Sequence, residues 1–133
     1  MRKVLGLLVV FCALAIPVAA LAANWPDPAG QNADLVAKGA ACVGKGEDGA
    51  WYHFVNNQTG GPAPLGTISV NFTADADDQS GVGPLAYNNA VRHFYIFGES
   101  TVLSAETTLP GKLVISGAEC GKKNETDPRS LFH

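Results

Sequence analysis

The chain has 133 residues, 47% of them apolar and 16% charged, and carries a formal net charge of −3. That length suits a single hydrophobic core. An acidic balance with no run of basic residues repels phosphate backbones and argues against a nucleic-acid partner.

Arg2 and Lys3 open the chain, residues 4–17 are apolar, and residues 18–23 are mostly alanine and valine. Basic, then apolar, then small is the order of a secretory signal, so residues 1–23 are expected to be a signal peptide cleaved before Ala23 or Asn24. An uncleaved anchor is the rival reading, because an apolar stretch of about twenty residues can span a bilayer. Pro17 and the alanine-rich end favour cleavage, and Cys12 falls inside the apolar run as part of the targeting segment. Losing Arg2 and Lys3 takes the net charge to −5. No membrane attachment through the leader is then expected of the mature chain.

Residues 24–33 hold Pro26, Pro28 and Gly30 without an apolar period and read as an extended leader whose Trp25 can dock on a core. The β-rich domain is expected over 34–120. Its first segment, 34–42, is compatible with a short helix or a strand and is taken as a strand, with Gly39 weakening both. Trp51-Tyr52-His53-Phe54-Val55-Asn56-Asn57 is rich in aromatic and β-branched residues and is followed by Gly60-Gly61-Pro62, the signature of a strand ending in a loop. Residues 67–73 alternate strictly, placing Ile68, Val70 and Phe72 inward.

Residues 74–89 show no apolar period and read as one long loop. Residues 90–97 are apolar on both faces, which marks a central strand. Two more strands follow at 101–107 and 113–120, joined by Leu109-Pro110-Gly111-Lys112, where proline second and glycine third fit a type II turn. The stretch 90–120 is therefore expected to be a three-stranded antiparallel meander. With the earlier strands this predicts an all-β antiparallel sandwich, followed by a polar C-terminal tail at 121–133.

Cys42 and Cys120 bracket the strand-rich region, and an even pair in an exported chain points to a disulfide, two buried thiols being the alternative. Alternation from Leu113 and Ile115 puts Cys120 on the wrong face for a core-side bridge. A bulge near Gly117 resolves that conflict.

The segment Trp51-Tyr52-His53-Phe54-Val55-Asn56-Asn57, together with Gly111-Lys112-Leu113-Val114-Ile115-Ser116-Gly117-Ala118-Glu119-Cys120, resembles the small Ig-like modules of bacterial secreted and cell-surface proteins. Those modules open on a Trp-x-x-Phe-Val-x-Asn strand and end on a strand running into cysteine. The resemblance covers about residues 40–120. It implies an extracellular Ig-like β-sandwich and brings no catalytic residue.

Asp75, Asp77 and Asp78 crowd one loop, as calcium ligands do, but an EF-hand register would put Ser80 where glycine belongs and Ala86 where glutamate belongs. A solvated acidic turn is expected. His53 and His93 are too few for zinc once the cysteines are bridged and are expected to bond neighbours. Ser80 and Ser116 lack the Gly-x-Ser-x-Gly elbow of a hydrolase nucleophile. No metal, cofactor or catalytic residue is expected. Sequons stand at Asn57, Asn71 and Asn124, and they matter only in a glycosylating host.

The functional expectation is a secreted or cell-surface, non-enzymatic binding or structural module with an extracellular protein or polysaccharide as partner. The ligand-facing residues would be Tyr87, Asn88, Asp75, Asp77 and Asp78. A carbohydrate-binding module and a small secreted enzyme or enzyme inhibitor are the alternatives.

Overall fold

The computed structural model describes residues 24–25, 32–58 and 64–132. The segment expected to be a signal peptide, most of the expected leader and five residues of the loop after Gln58 lie outside the described residues. Eight strands are described: β1 (Asn24–Trp25), β2 (Gly49–Asn57), β3 (Ile68–Phe72), β4 (Gln79–Val82), β5 (Ala86–Tyr87), β6 (Val91–Gly98), β7 (Val102–Thr107) and β8 (Lys112–Gly121). They form two four-stranded antiparallel sheets, in the orders β1-β7-β3-β4 and β5-β6-β2-β8.

The two sheets face each other across one core. Ile68, Val70, Phe72, Val102 and Ala105 come from the first sheet, and Tyr52, Phe54, Phe94, Ile96, Leu113, Ile115 and Ala118 from the second. Trp25 from the leader joins them, its ring edge-on to Phe54 at 6.0 Å. The inward set expected at 68–72 is observed, because strict alternation has one solution when one face is buried. Asn56, also fully buried, is held by Thr107 Oγ1, which donates to its Oδ1 at 2.9 Å, while its own Nδ2 donates to the carbonyls of Pro110 and Lys112.

Three expectations are corrected. The stretch 90–120 is not a meander: β6 and β8 lie in one sheet, and β7 crosses to the other to pair with β3 and β1. Both edges of β6 are already occupied, by β5 and β2, so the chain leaving it must change sheets. Alternation specifies the face a strand buries, not its neighbour. Residues 74–89 are not one loop either, since β4 and β5 lie within them as edge strands whose side chains are mostly solvent-facing and so carry no apolar period.

The third correction is α1 (Ala33–Ala40), a helix where a strand was expected. Leu35, Val36 and Gly39 lie on one face at helical spacing, and Leu35 and Val36 pack against the core. Gly39 is there for space: a Cβ at this position would meet the Tyr52 ring at 2.4 Å. Gly39→Ala should therefore destabilise the protein by about 1–3 kcal/mol through overpacking, although alanine is the better helix former by about 1 kcal/mol. A urea titration decides the sign, and a raised midpoint would show that the ring yields.

Helix α1 lies over β8. Asn32 Nδ2 donates to Ile115 O at 2.7 Å, Lys38 pairs with Glu119 at 3.0 Å, and the Cys42–Cys120 disulfide closes the contact with a Cα–Cα distance of 5.3 Å. The bulge that this bridge requires is present. Phe54 pairs with Ile115 and His53 with Gly117, so Ser116 is the extra residue, and beyond it Ala118 and Cys120 take the inward parity.

The polar segment after β8 is not left free. It runs back over the outer face of the β5-β6-β2-β8 sheet as a strap. Lys122 O accepts from Trp51 Nε1 at 2.8 Å, Asp48 Oδ2 accepts from Lys123 N at 3.3 Å, and a 3₁₀ turn (Pro128–Leu131) leads Phe132 onto His53 and Tyr95. This cover explains why β6 is apolar on both faces. Among the described residues no helix is long and apolar enough to cross a membrane.

Candidate binding site

The end of the sandwich where β6 runs out and β4 begins carries a cleft of about 230 Å³. Trp51 and Phe97, opposite one another in the β2–β6 register and edge-on at 5.5 Å, form its aromatic wall. Asp77, Asp78, Gln79 and Glu99 line the other side, with Lys123 of the strap at the rim.

Each polar wall is fixed locally. Asp77, in the 3₁₀ turn Asp75–Asp77, accepts through Oδ2 from Glu99 N at 3.1 Å and from Ser100 Oγ at 2.5 Å. Asp78 Oδ1 accepts from Phe72 N at 2.7 Å, and Gln79 Nε2 donates to Phe97 O at 2.6 Å. The acidic loop is thus sewn to β3 and to the turn after β6, and all of these bonds but the one from Ser100 Oγ satisfy a backbone group. Asp77 also acts below the surface. Burial, and then the nearby Asp77 charge, push the Tyr52 hydroxyl up to about 12, so it stays protonated and points toward Ser100 O at 3.5 Å.

The structure divides the residues that the sequence grouped as ligand-facing. Asp77 and Asp78 reach the cleft, and Asp75 is exposed on the same turn but does not line it. Tyr87 and Asn88 stand at the other end of β6. Tyr87 is paired with Arg92, whereas Asp77 bonds to Glu99, a separation of roughly 20 Å along the strand. Asn88 Oδ1 accepts from the amides of Ala90 and Val91, forming the turn into β6. Tyr87 is 59% exposed, with the Arg92 guanidinium 5.7 Å from its ring centre.

Trp51, Phe97, Glu99 and Lys123 were not legible as a group, because strand pairing and the returning strap, not sequence proximity, bring them together. Trp51 is only half-buried. His53 and His93 do bond a neighbour, and that neighbour is each other, His53 Nε2 to His93 Nδ1 at 2.9 Å. Among the described residues no three His, Cys, Asp or Glu side chains converge as a metal site. No protein-family model, curated protein or solved structure matches the chain.

Proposed function

We propose that the chain is an exported, non-enzymatic binding module of the Ig-like kind, which meets an extracellular protein or polysaccharide at the Trp51 cleft. The observation that carries this reading is the half-exposed indole of Trp51 set against three carboxylates at the end of a disulfide-closed sandwich. An aromatic wall supplies contact area, and fixed acceptors supply orientation. The carbohydrate alternative draws on the same place, where Asp77, Asp78, Gln79 and Glu99 offer hydroxyl acceptors beside an indole. Export rests on the leader and on a bridge that suits an oxidising compartment.

The chain has two tryptophans, and Trp25→Phe leaves Trp51 as the sole tryptophan, which excitation at the red edge addresses apart from the tyrosines. That change is mild, since among the described residues the buried Trp25 Nε1 has no hydrogen-bond partner to lose. In this background, soluble polysaccharides and secreted proteins are titrated while Trp51 emission is followed. A ligand should shift the emission. Glu99→Lys, at an exposed position, should weaken that ligand at least tenfold with the thermal transition unchanged. A ligand that binds with Trp51 silent and is indifferent to Glu99→Lys would place recognition elsewhere.

A further inference from the structure

The outer face of the β5-β6-β2-β8 sheet holds a cluster that the cleft does not use. His53 on β2 stands opposite Tyr95 on β6 and Gly117 on β8. Its ring lies parallel to that of Tyr95, 4.6 Å between centres, and Phe132 of the strap packs edge-on against both, at 5.6 and 5.5 Å. Gly117 makes the seat, because a Cβ there would meet the Phe132 ring at 3.0 Å.

We propose that residues 122–132 form an acid-released strap, in which protonation of the His53–His93 pair undocks Phe132 and the 3₁₀ turn before it from the sheet.

The chemistry follows from hydrogen counting. An N–H···N bridge between two imidazoles holds one hydrogen, so one ring donates and the other accepts. A first added proton can settle on the donor ring's outer nitrogen and leave the bridge intact. A second must place a hydrogen on both facing nitrogens. The bridge then breaks, and two imidazolium rings are left in contact, that of His53 against Phe132.

The other groups facing the pair do not rescue it. β6 contributes Tyr95, held protonated by burial, which raises its ordinary value. The strap contributes Arg129, a further cation, and Asp127, whose carboxylate is engaged by Arg129 through Nε at 2.9 Å and Nη2 at 3.0 Å. β8 contributes Gly117, which has no charge. Burial, and then the charge on His93, bring His53 down to about 4, and burial also lowers His93. Once undocked, His53 loses the burial that is the larger cause and moves back toward its ordinary value near 6.5, with His93 still beside it. The docked form thus binds fewer protons between about 4 and 6.5, so docking is complete above that window and weakens as pH falls through it, by up to tenfold per pH unit for each proton.

The start of the strap is fixed, by Lys122 O on Trp51 Nε1 and Lys123 N on Asp48 Oδ2. The part that follows is held by little besides Phe132 and the buried Pro128: it lies beyond Cys120, outside the disulfide loop, and Arg129 Nη1 to Leu85 O at 3.3 Å is an exposed bond. A segment tied by few contacts opens without global unfolding.

The test is amide exchange on the mature chain at pH 7 and pH 4.5, expressed as protection relative to intrinsic rates. The His53 ring proton is titrated by NMR on the same sample. Ser130 N and Phe132 N, which donate to Asp127 O and Arg129 O, should lose at least tenfold in protection at pH 4.5, while β2 and β6 keep theirs. The loss should track the His53 titration. His53→Phe, which keeps an aromatic ring against Tyr95 and cannot titrate, should stay docked at pH 4.5, and His93→Leu provides a second variant that cannot form the doubly charged pair. Unchanged protection in the wild-type chain at pH 4.5 would overturn the proposal, as would release of either variant at the wild-type midpoint.

Discussion

Replacing Cys42 and Cys120 together by alanine should lower the unfolding free energy by about 4.5 kcal/mol, the chain-entropy value for a sequence separation of 78. That is a large share of the stability available to a domain of this size. The loss should begin locally. An eight-residue helix has no independent stability, and α1 meets the core through Leu35, Val36 and the small Gly39, so the bridge and the Asn32 and Lys38 contacts contribute much of what holds it on β8. In urea, the variant should show a lower midpoint and a larger dependence on denaturant, because its unfolded state is no longer looped. Its α1 amides should exchange ahead of those of β2 and β6. A loss below 1 kcal/mol would mean that the fold already fixes the two positions without the bond.

Arg92→Met should cost about 3 kcal/mol, the second-largest effect expected of a single site. Arg92 is 2% exposed, although a strand end beside a polar loop suggests a surface arginine. Its Nε and Nη2 donate to Pro64 O at 3.3 and 2.9 Å, and its Nη1 donates to Asn88 O and to Val91 O. The guanidinium therefore ties the approach to β3 to the β5–β6 turn at one end of the core. Methionine fills the volume but abandons these carbonyls, and each buried group left unsatisfied costs about 1–3 kcal/mol. Arg92→Lys should recover only part of the loss, since one ammonium cannot reproduce the planar fork. Urea midpoints of the two variants check the ranking, and equal stability for Met and Arg would contradict it.

What could be read from the sequence was whatever depends on one strand at a time. β2, β3, β6 and β8 declare themselves by alternation or by continuous apolar and aromatic runs. The parity conflict at Cys120 located the bulge within one residue, since a side chain on the wrong face leaves few remedies. Gly111, with φ of 102°, occupies the positive-φ position that the Pro-Gly pattern asked for, although its turn joins two sheets and not two neighbours. Pairing, by contrast, is a property of the assembled sheets. The position of β7, the edge strands β4 and β5 and the meeting of Trp51 with Glu99 and Lys123 all depend on it. Asp78 shows the limit well: its exposed carboxylate suggests a ligand contact, yet one oxygen caps Phe72 N, a bond that no local pattern announces.

The position of the disulfide also governs how the molecule bears load. β1 and α1 precede the bridge or lead into it, and the strap follows it, so tension applied at the two ends passes through the sulfur atoms and bypasses most of both sheets. While the bond holds, the enclosed residues cannot be drawn out, which withholds roughly 260 Å of extension for a separation of 78 residues. Only the peripheral pieces, β1, α1 and the strap, can peel away. A chain attached to a surface at one end and to a partner at the other would thus yield slightly at its margins and keep its core intact, and reduction of one bond would turn a short tether into a long one.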